Sequence, residues 1–329
     1  MRVSLFYNGD VLPGTSVSAL YQAIEAQAIV ADHVGLAGLW LAEHHFALYG
    51  RVPAPLLLLA RLSAVTHHLA LGTAVVEAPY YHPLRLAEDA AFVDRLSHGR
   101  LRLGIGSGGR NKPTEFAHFG VALEEKTART LEIVAILRQA FDAGVVQFAG
   151  RYYRLEGIEL APRSVQPGQQ LIWLAASEAT PEVAGAAGYR LLIPRVGARE
   201  RHQQLIARYR AALQGTPGYV AQLRMAYVAE HEREAHAQAR AMVARYAQYD
   251  LGVTWDGQVG TAAYHELLRR LNAVIGTPEQ VGEQLEAWQE TDGFDEIICQ
   301  VYGAGMQHVD ALRCIELLGQ VVVPRLPNE

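Results

Sequence analysis

Two adjacent histidines follow a glutamate in the run Glu43-His44-His45, and imidazole has a pKa that suits proton transfer near neutral pH. Neighbouring residues of a strand point to opposite faces, so only one of the two rings can enter a given site. Trp40, Ala42 and His44 share one face, but the sequence does not say which face is inward. We predict that His44 is a general acid or base. The alternative is a structural histidine bonded to a nearby carboxylate.

A metal site at these histidines would need a third ligand at ordered spacing, and the sequence offers none. We therefore predict no metal, with His82 or His118 as the alternative third ligand if the fold brings either one close.

A glycine-rich run at residues 104–109 has the spacing G-x-G-x-x-G of a dinucleotide-binding fingerprint. That fingerprint should open a helix directly, inside the first strand–helix–strand unit. Here the run ends the fourth predicted strand and continues into Arg110-Asn111-Lys112-Pro113, which indicates a loop. We interpret the glycines as positions where a missing side chain lets a flat ligand lie against the strand ends.

Ser177 and Thr180 precede a helix that we expect to begin near Pro181 and to end at Gly188. Their hydroxyls, together with the N–H groups of a helix N-terminus, form a site that suits a phosphate. The alternative is an ordinary helix cap at Thr180. Phosphate sites of barrel enzymes more often follow the last two strands, so position alone does not decide between the two.

Short apolar segments alternate with amphipathic helical patterns along the whole chain, which predicts a parallel α/β fold. We expect a single (β/α)8 TIM barrel over residues 1–329, with an open doubly wound sheet as the alternative. Residues 147–155 predict a small hairpin excursion, and the glycine-containing residues 249–273 predict a long loop or mobile lid. The strand candidates are residues 3–7, 38–42, 69–75, 101–105, 171–175, 190–193, 222–228 and 296–301.

Composition excludes several classes of protein. The net charge of −5 and the pI near 6.2 favour neither nucleic acid nor an anionic membrane as partner. No apolar run is long enough to span a bilayer. The two cysteines, Cys299 and Cys314, have neither metal-type nor redox-type spacing, which indicates a reducing compartment. We expect a cytoplasmic protein.

Several motifs, in order, resemble those of the bacterial-luciferase-like flavin-dependent monooxygenases. The resemblance implies a (β/α)8 barrel that binds reduced FMN at the C-terminal mouth of its strands. The motifs are GLWLAEHHF at residues 38–46, LGTAVV at 71–76, Pro79, His82-Pro83, Glu88-Asp89, DRLSHGR at 94–100 and IGTPE at 275–279.

The same resemblance implies roles for individual residues. The Ala74–Val75 peptide, often cis in this family, would lie behind the flavin ring. Gly106 and Ser107 would flank the ring or the phosphate, and Ser177 and Thr180 would bind the phosphate. His44 matches the catalytic histidine of the family. His45 and Glu88 match positions near the subunit interface, which implies a homodimer.

Three positions depart from the pattern of some relatives. Gly106 replaces a cysteine beside the flavin, Ser107 replaces an arginine at the phosphate, and Ala176 replaces a glutamate. We expect Arg110 or Asn111 to compensate at the phosphate.

The activity implied is that of a two-component monooxygenase. A separate flavin reductase would supply reduced FMN, and O2 would form a C4a-(hydro)peroxyflavin that oxygenates a small organic substrate. The sequence does not identify that substrate. One alternative is a deazaflavin (F420)-dependent hydride-transfer oxidoreductase, whose long anionic cofactor tail favours a basic rim. Another is a non-catalytic flavin-binding barrel, which would have no need of Glu43-His44-His45.

Overall fold

The computed structural model describes residues 1–11, 16–46, 50–109, 112–215, 217–303 and 305–326. Strands and helices alternate over these ranges, as the apolar pattern predicts. The strands are β1 Arg2–Tyr7, β2 Gly38–Leu41, β3 Ala70–Thr73, β4 Val76–Glu77, β5 Leu101–Gly106, β6 Val145–Ala149, β7 Arg154–Glu159, β8 Ile172–Ala175, β9 Arg190–Ile193, β10 Val220–Val228, β11 Ala273–Gly276 and β12 Glu296–Gln300. The helices are α1 Val17–His33, α2 Pro55–Ser63, α3 Pro83–Leu96, α4 Pro113–His118, α5 Lys126–Asp142, α6 Gly168–Leu171, α7 Pro181–Ala187, α8 Arg199–Ala211, α9 Glu232–Leu251, α10 Ala262–Leu271, α11 Pro278–Asp292 and α12 His308–Leu317.

Within the described ranges, eight parallel strands close a barrel in the order β1, β2, β3, β5, β8, β9, β10 and β12. The parallel pairing of β9 with β10 and of β12 with β1 completes the ring, which excludes the open sheet. Each of the eight predicted strands corresponds to one of these strands. The TIM-barrel prediction is therefore confirmed. Short β4 and β11 pair with β5 and β10 near the C-terminal mouth.

Side chains of alternate strand residues fill the barrel interior below the mouth. The indole rings of Trp40 and Trp173 lie 5.0 Å apart at their centroids and meet edge to face. Gly72 makes room for this pair, because a Cβ atom at that position would lie 2.2 Å from the Trp40 ring. The inward face of β2 is therefore the one that carries Trp40 and Ala42, which settles the question of strand parity.

A buried ion pair lies between strands of the barrel interior. Arg102 donates to both carboxylate oxygens of Glu296, at 2.9 and 2.7 Å. Ser4, Trp40 and Tyr219 also donate to this carboxylate, at 2.5, 3.3 and 3.0 Å. The carboxylate thus has several donors, and the Arg102 guanidinium also lies over the rings of Trp40 and Trp173. The interior therefore tolerates an ion pair that would otherwise be costly to bury.

Two excursions leave the barrel pattern. Strands β6 and β7 form the predicted antiparallel hairpin, which is longer than residues 147–155. The predicted loop at residues 249–273 is shorter in the structure. Helix α9 continues to Leu251, and α10 and Asn272 occupy the final part of the segment. The irregular stretch is limited to residues 252–261.

Among the described helices, none has the length and apolar character that crossing a bilayer requires.

Candidate functional site

The C-terminal mouth of the barrel contains two adjoining cavities. The inner cavity, of about 230 Å3, has mostly apolar walls and lies over the barrel interior. The outer cavity, of about 250 Å3, lies between the loop after β5 and the loop after β8. Val75 and Ala175 line both cavities, so the two are neighbours along one wall. The inner walls are Phe6, Asn8, Ala74, Val75, Ala175, Leu192, Ile193, Pro194, Arg195, Val196, Leu223 and Ile298.

The predicted cofactor-binding residues lie around these cavities. Ala74 and Val75 line the inner cavity, and the peptide bond between them is cis, as the family resemblance implies. Gly106, Ser107, Ser177 and Thr180 line the outer cavity, together with Val75, Glu77, Ile105, Gly108, Gly109, Thr130, Leu131, Val134, Leu174, Ala175 and Ala176. Residues more than 100 positions apart in sequence therefore meet at one mouth, because parallel strands end there.

Gly106 keeps the junction of the two cavities open. A Cβ atom at this position would lie 2.4 Å from Cγ2 of Val75, closer than any side-chain contact allows. A larger residue would therefore displace Val75 and change both cavities. This geometry agrees with the interpretation of the glycine-rich run as a surface for a flat ligand.

The hydroxyls of Ser177 and Thr180 stabilise the loop that leads into α7. Thr180 Oγ1 donates to the carbonyl of Ala175 at 2.7 Å and accepts from the N–H of Ser177 at 2.9 Å. Ser177 Oγ lies 3.2 Å from Thr180 Oγ1. The Thr180 side chain makes no capping hydrogen bond to α7, so the ordinary helix cap is not what the structure shows.

His44 follows β2 at the barrel mouth and is largely buried. Its Nε2 lies 2.8 Å from Oδ1 of Asn8. Burial lowers the pKa of His44 to about 3, and the nearby charges of Lys112 and His45 act in the same direction. The ring is therefore neutral at physiological pH. One ring nitrogen donates a hydrogen bond and the other accepts one, and the ring carries no positive charge.

His45, rather than His44, has the environment of a structural histidine bonded to a nearby carboxylate. Its Nε2 lies 2.6 Å from Oε1 of Glu43. The other oxygen of Glu43 accepts hydrogen bonds from the Tyr81 hydroxyl at 2.9 Å and from the N–H of Glu77 at 3.2 Å. The ring also packs edge to face against Phe119, with 4.7 Å between ring centroids. His45 therefore stabilises the loop after β2 through its contacts with Glu43 and Phe119.

Sequence reasoning missed a polar network beside the inner cavity. Asn8 Nδ2 donates to Asp10 Oδ2 at 3.3 Å, and the Tyr246 hydroxyl donates to the same oxygen at 2.5 Å. Gln300 Nε2 donates to the Tyr246 hydroxyl at 2.5 Å. Arg195, which lines the inner cavity, lies over the Tyr246 ring at 4.2 Å and pairs with Asp250.

The position of Asn8 and Asp10 immediately after β1 is the signal that could have revealed the network. Polar residues that follow a barrel strand lie at the mouth, where active sites are built.

Acidic and basic side chains meet beside the outer cavity. Lys112 Nζ lies 2.7 Å from Glu77 Oε1 and 3.2 Å from Glu115 Oε1, and Lys126 donates to the carbonyl of Gly108. Burial raises the pKa of Glu77, while Lys112 opposes that change.

Two predictions for this region concern a phosphate and a metal. Arg110 and Asn111, the residues predicted to compensate at a phosphate, lie outside the described residues. In the described part of the chain, no group of three histidine, cysteine or acidic residues is arranged to hold a metal ion.

The sequence model of the luciferase-like monooxygenases matches residues 1–295. The chain belongs to this family. An uncharacterized protein of Sinorhizobium fredii is 37% identical over 180 residues, which are 54% of this chain and 50% of that protein. The alignment thus spans half the length of that relative. The oxygenase component of a flavin-dependent trigonelline monooxygenase of Acinetobacter baylyi is 27% identical over 318 residues, covering 90% of this chain and 88% of that protein.

Solved structures agree with the fold. The monooxygenase RslO1 of Streptomyces bottropensis superimposes with a TM-score of 0.88 at 25% identity, covering 98% of this chain and 99% of that chain. A coenzyme F420-dependent tetrahydromethanopterin reductase of Methanopyrus kandleri superimposes with a TM-score of 0.72 at 18% identity, covering 99% of this chain and 100% of that chain. The second likeness shows the fold alone.

Proposed function

We propose that this chain is the oxygenase component of a two-component flavin-dependent monooxygenase. It takes reduced FMN from a separate flavin reductase and uses O2 to oxygenate a small organic substrate. The observation that supports this most is the pair of adjoining cavities at the barrel mouth, one apolar and one rich in hydroxyl and backbone groups. A flavin with its phosphate has the same division into an apolar ring and an anionic end.

The residues present fit such a cofactor. Ala74 and Val75 form an apolar wall on which a ring can rest, and Gly106 leaves space beside them. Ser107, Ser177 and Thr180 line the outer cavity, where the hydroxyls of Ser107 and Ser177 can donate to a phosphate. The Thr180 hydroxyl donates to the Ala175 carbonyl and accepts from the N–H of Ser177, so it shapes the loop that carries Ser177. When bound, the flavin supplies the oxygen chemistry, whereas the protein supplies binding, orientation and a dry site.

The chain's own residues have defined tasks in this proposal. The apolar walls of the inner cavity exclude water from the reacting groups. His44, which is neutral and whose Nε2 faces Asn8, accepts a hydrogen bond or a proton at Nδ1 and holds that proton only for the duration of a step, because burial disfavours its charged form. Arg195 and Asn8 are the polar groups in the inner wall that can orient a substrate.

A second candidate, F420-dependent hydride transfer, is favoured by one observation. A third cavity of about 520 Å3 is lined by Arg199, Arg269 and Arg270, and it shares Val196 with the inner cavity. This is the basic rim that a long anionic cofactor tail would need. Arg199 and Arg269 already pair with Asp292 and Glu266, which reduces the charge available to such a tail.

The deciding experiment is a parallel anaerobic titration with reduced FMN and reduced F420, followed by rapid mixing with O2. The proposal predicts tight binding of FMN and a transient absorbance that differs from both reduced and oxidised flavin. Binding of F420 in preference to FMN would favour the second candidate. Oxidation of FMN at the rate seen in free solution, without any transient, would contradict the monooxygenase.

A homodimer is also part of this proposal. Glu88, Phe92 and Leu96 are spaced four residues apart on α3 and therefore share one face of the helix. Phe92 is 55% exposed and Leu96 is 45% exposed, and Leu57 on the neighbouring helix α2 is 75% exposed. Exposed apolar side chains grouped on neighbouring helices are typical of an interface with another protein.

A further inference from the structure

We propose that Asn8, Asp10 and Tyr246 are positioning residues that hold His44 in one tautomer and connect its ring to helix α9. The proposal rests on the proposed function to the extent that His44 handles protons there. The arrangement of Asn8, Asp10 and Tyr246 around His44 depends only on hydrogen bonds between described residues. Three elements meet in this network: the loop after β1, the loop after β2 and the C-terminal half of α9.

The orientation of the Asn8 amide determines the tautomer of His44. Asp10 Oδ2 is a carboxylate oxygen and can only accept, so the Asn8 nitrogen at 3.3 Å must be the donor. The Asn8 carbonyl oxygen then faces His44 Nε2 at 2.8 Å. Since that oxygen can only accept, Nε2 carries the ring proton and Nδ1 carries the lone pair.

Packing keeps the His44 ring in this position. Gly50 lies against the ring, where a Cβ atom would approach to 2.1 Å of Cδ2. The N–H of His44 donates to the carbonyl of Val52 at 3.1 Å, which fixes the backbone from which the ring projects. The ring therefore has one position in which its hydrogen bond to Asn8 is formed.

Asp10 is itself held in place by Tyr246 on α9, and β12 supports Tyr246 in turn. The Tyr246 hydroxyl on α9 donates to Asp10, and Gln300 at the end of β12 donates to Tyr246. Asp10, Tyr246 and Gln300 are 8%, 2% and 0% exposed. Buried polar groups of this kind keep their partners, because a group left unpaired in the interior loses its hydrogen bonds to water without replacement.

The functional consequence follows from the tautomer. A neutral histidine accepts a proton only at the nitrogen that carries the lone pair, which is Nδ1 here. In the other tautomer Nδ1 would carry a hydrogen and could not act as a base.

The network also connects His44 to the irregular segment at residues 252–261. Tyr246 lies on α9 five residues before Leu251, the last residue before that segment. A rearrangement of that segment that moves Tyr246 would therefore reach His44 through Asp10 and Asn8.

The test is nitrogen-15 NMR of the histidine rings in protein labelled at histidine, with the His44 signals identified by their absence in His44→Gln. We expect a protonated Nε2 and an unprotonated Nδ1 in the wild type. Tyr246→Phe, which removes only a hydroxyl, should populate the second tautomer of His44. Tyr227→Phe is the matched control, because that buried hydroxyl donates to Gln238 instead. A protonated Nδ1 in the wild type, or identical His44 spectra in Tyr246→Phe and wild type, would overturn the proposal.

A second variant tests the contact between Asn8 and His44 directly. Asn8→Asp places a carboxylate where the amide oxygen lies 2.8 Å from Nε2, and we expect the pKa of His44 to rise by roughly 1–3 pH units. Lys112 and His45 oppose this rise, and Asp10 lies on the far side of residue 8. An unchanged His44 titration in Asn8→Asp would contradict the contact. If the spectra agree with the proposal but no flavin binds, the positioning network stands and the proposed function fails.

Discussion

Gly106 lies at the junction of the inner and outer cavities, and its missing side chain has a measurable consequence. In Gly106→Ala the new Cβ atom would lie 2.4 Å from Val75 Cγ2, so Val75, which lines both cavities, must move. We expect flavin affinity to fall about tenfold, corresponding to ~1.4 kcal/mol, with the fold retained. Fluorescence titration with FMN measures the affinity, and circular dichroism checks the fold.

The matched control is Gly282→Ala in the middle of α11. A Cβ atom there meets nothing within 4 Å, and alanine favours a helix by about 0.5–1 kcal/mol over glycine. The control should bind flavin like the wild type. Equal affinities in Gly106→Ala and Gly282→Ala would show that the flavin does not occupy the junction.

Single residues show how far the sequence predicts the site. Ala74, Gly106, Ser177 and the other predicted cofactor-binding residues lie at the ends of barrel strands, and the structure places them around the two cavities. His44, the predicted catalytic residue, is not among the described residues that line either cavity. The inward face of β2 could not be chosen, because all four of its residues are buried. A strand between a barrel interior and a layer of helices is apolar on both faces, so alternation carries no information there.

At the level of elements, helices α2 and α3 carry the surface proposed for the homodimer. Phe92→Glu places a charge on the face shared by Glu88 and Leu96, so a dimer using that face should dissociate. We expect a mass near twice 36.1 kDa for the wild type and near 36.1 kDa for the variant in analytical ultracentrifugation.

Val309→Glu is the control for this experiment. Val309 on α12 is 68% exposed, so it tests the effect of a new surface charge on a different helix. Dissociation by both substitutions, or a monomeric wild type, would contradict the proposed interface.

The elements also show where sequence patterns are ambiguous. The eight barrel strands were predicted because short apolar runs between helices are typical of parallel sheets. Helix α10 was missed because three glycines precede it, although Tyr264, Leu267, Leu268 and Leu271 have helical spacing and are buried. Strand β11 has only four residues, and its pairing with the far end of β10 depends on the closed barrel rather than on local sequence.

For the whole molecule, buried neutral histidines predict a loss of stability in acid. Burial lowers the pKa of His44 to about 3 and that of His202 to about 4, whereas both are near 6.5 in the unfolded chain. Below pH 6.5 the unfolded chain binds protons that the folded protein does not, so stability falls as the pH decreases. We expect a loss of about 1–2 kcal/mol for each histidine between pH 7 and pH 5, measured by urea unfolding.

Two variants separate this effect from that of other groups. His202 lies on α8, where its Nε2 is 3.2 Å from the carbonyl of Val196. His202→Gln should reduce the loss of stability between the two pH values. His67→Gln should leave it close to that of the wild type, because the His67 ring is exposed. The same loss in His202→Gln and wild type would show that His202 does not remain neutral in the folded protein.

The edge-to-face pair of Trp40 and Trp173 gives the protein an internal optical probe. Both indoles lie in the barrel interior beneath the inner cavity, whereas Trp255 and Trp288 lie on the segment before α10 and on α11. Tryptophan emission overlaps the absorption of oxidised flavin, and energy transfer is efficient over such short separations. A ligand in the inner cavity that absorbs in this range will therefore quench the emission of Trp40 and Trp173. Intrinsic tryptophan fluorescence can then report the fraction of protein molecules with an occupied cavity, without a label.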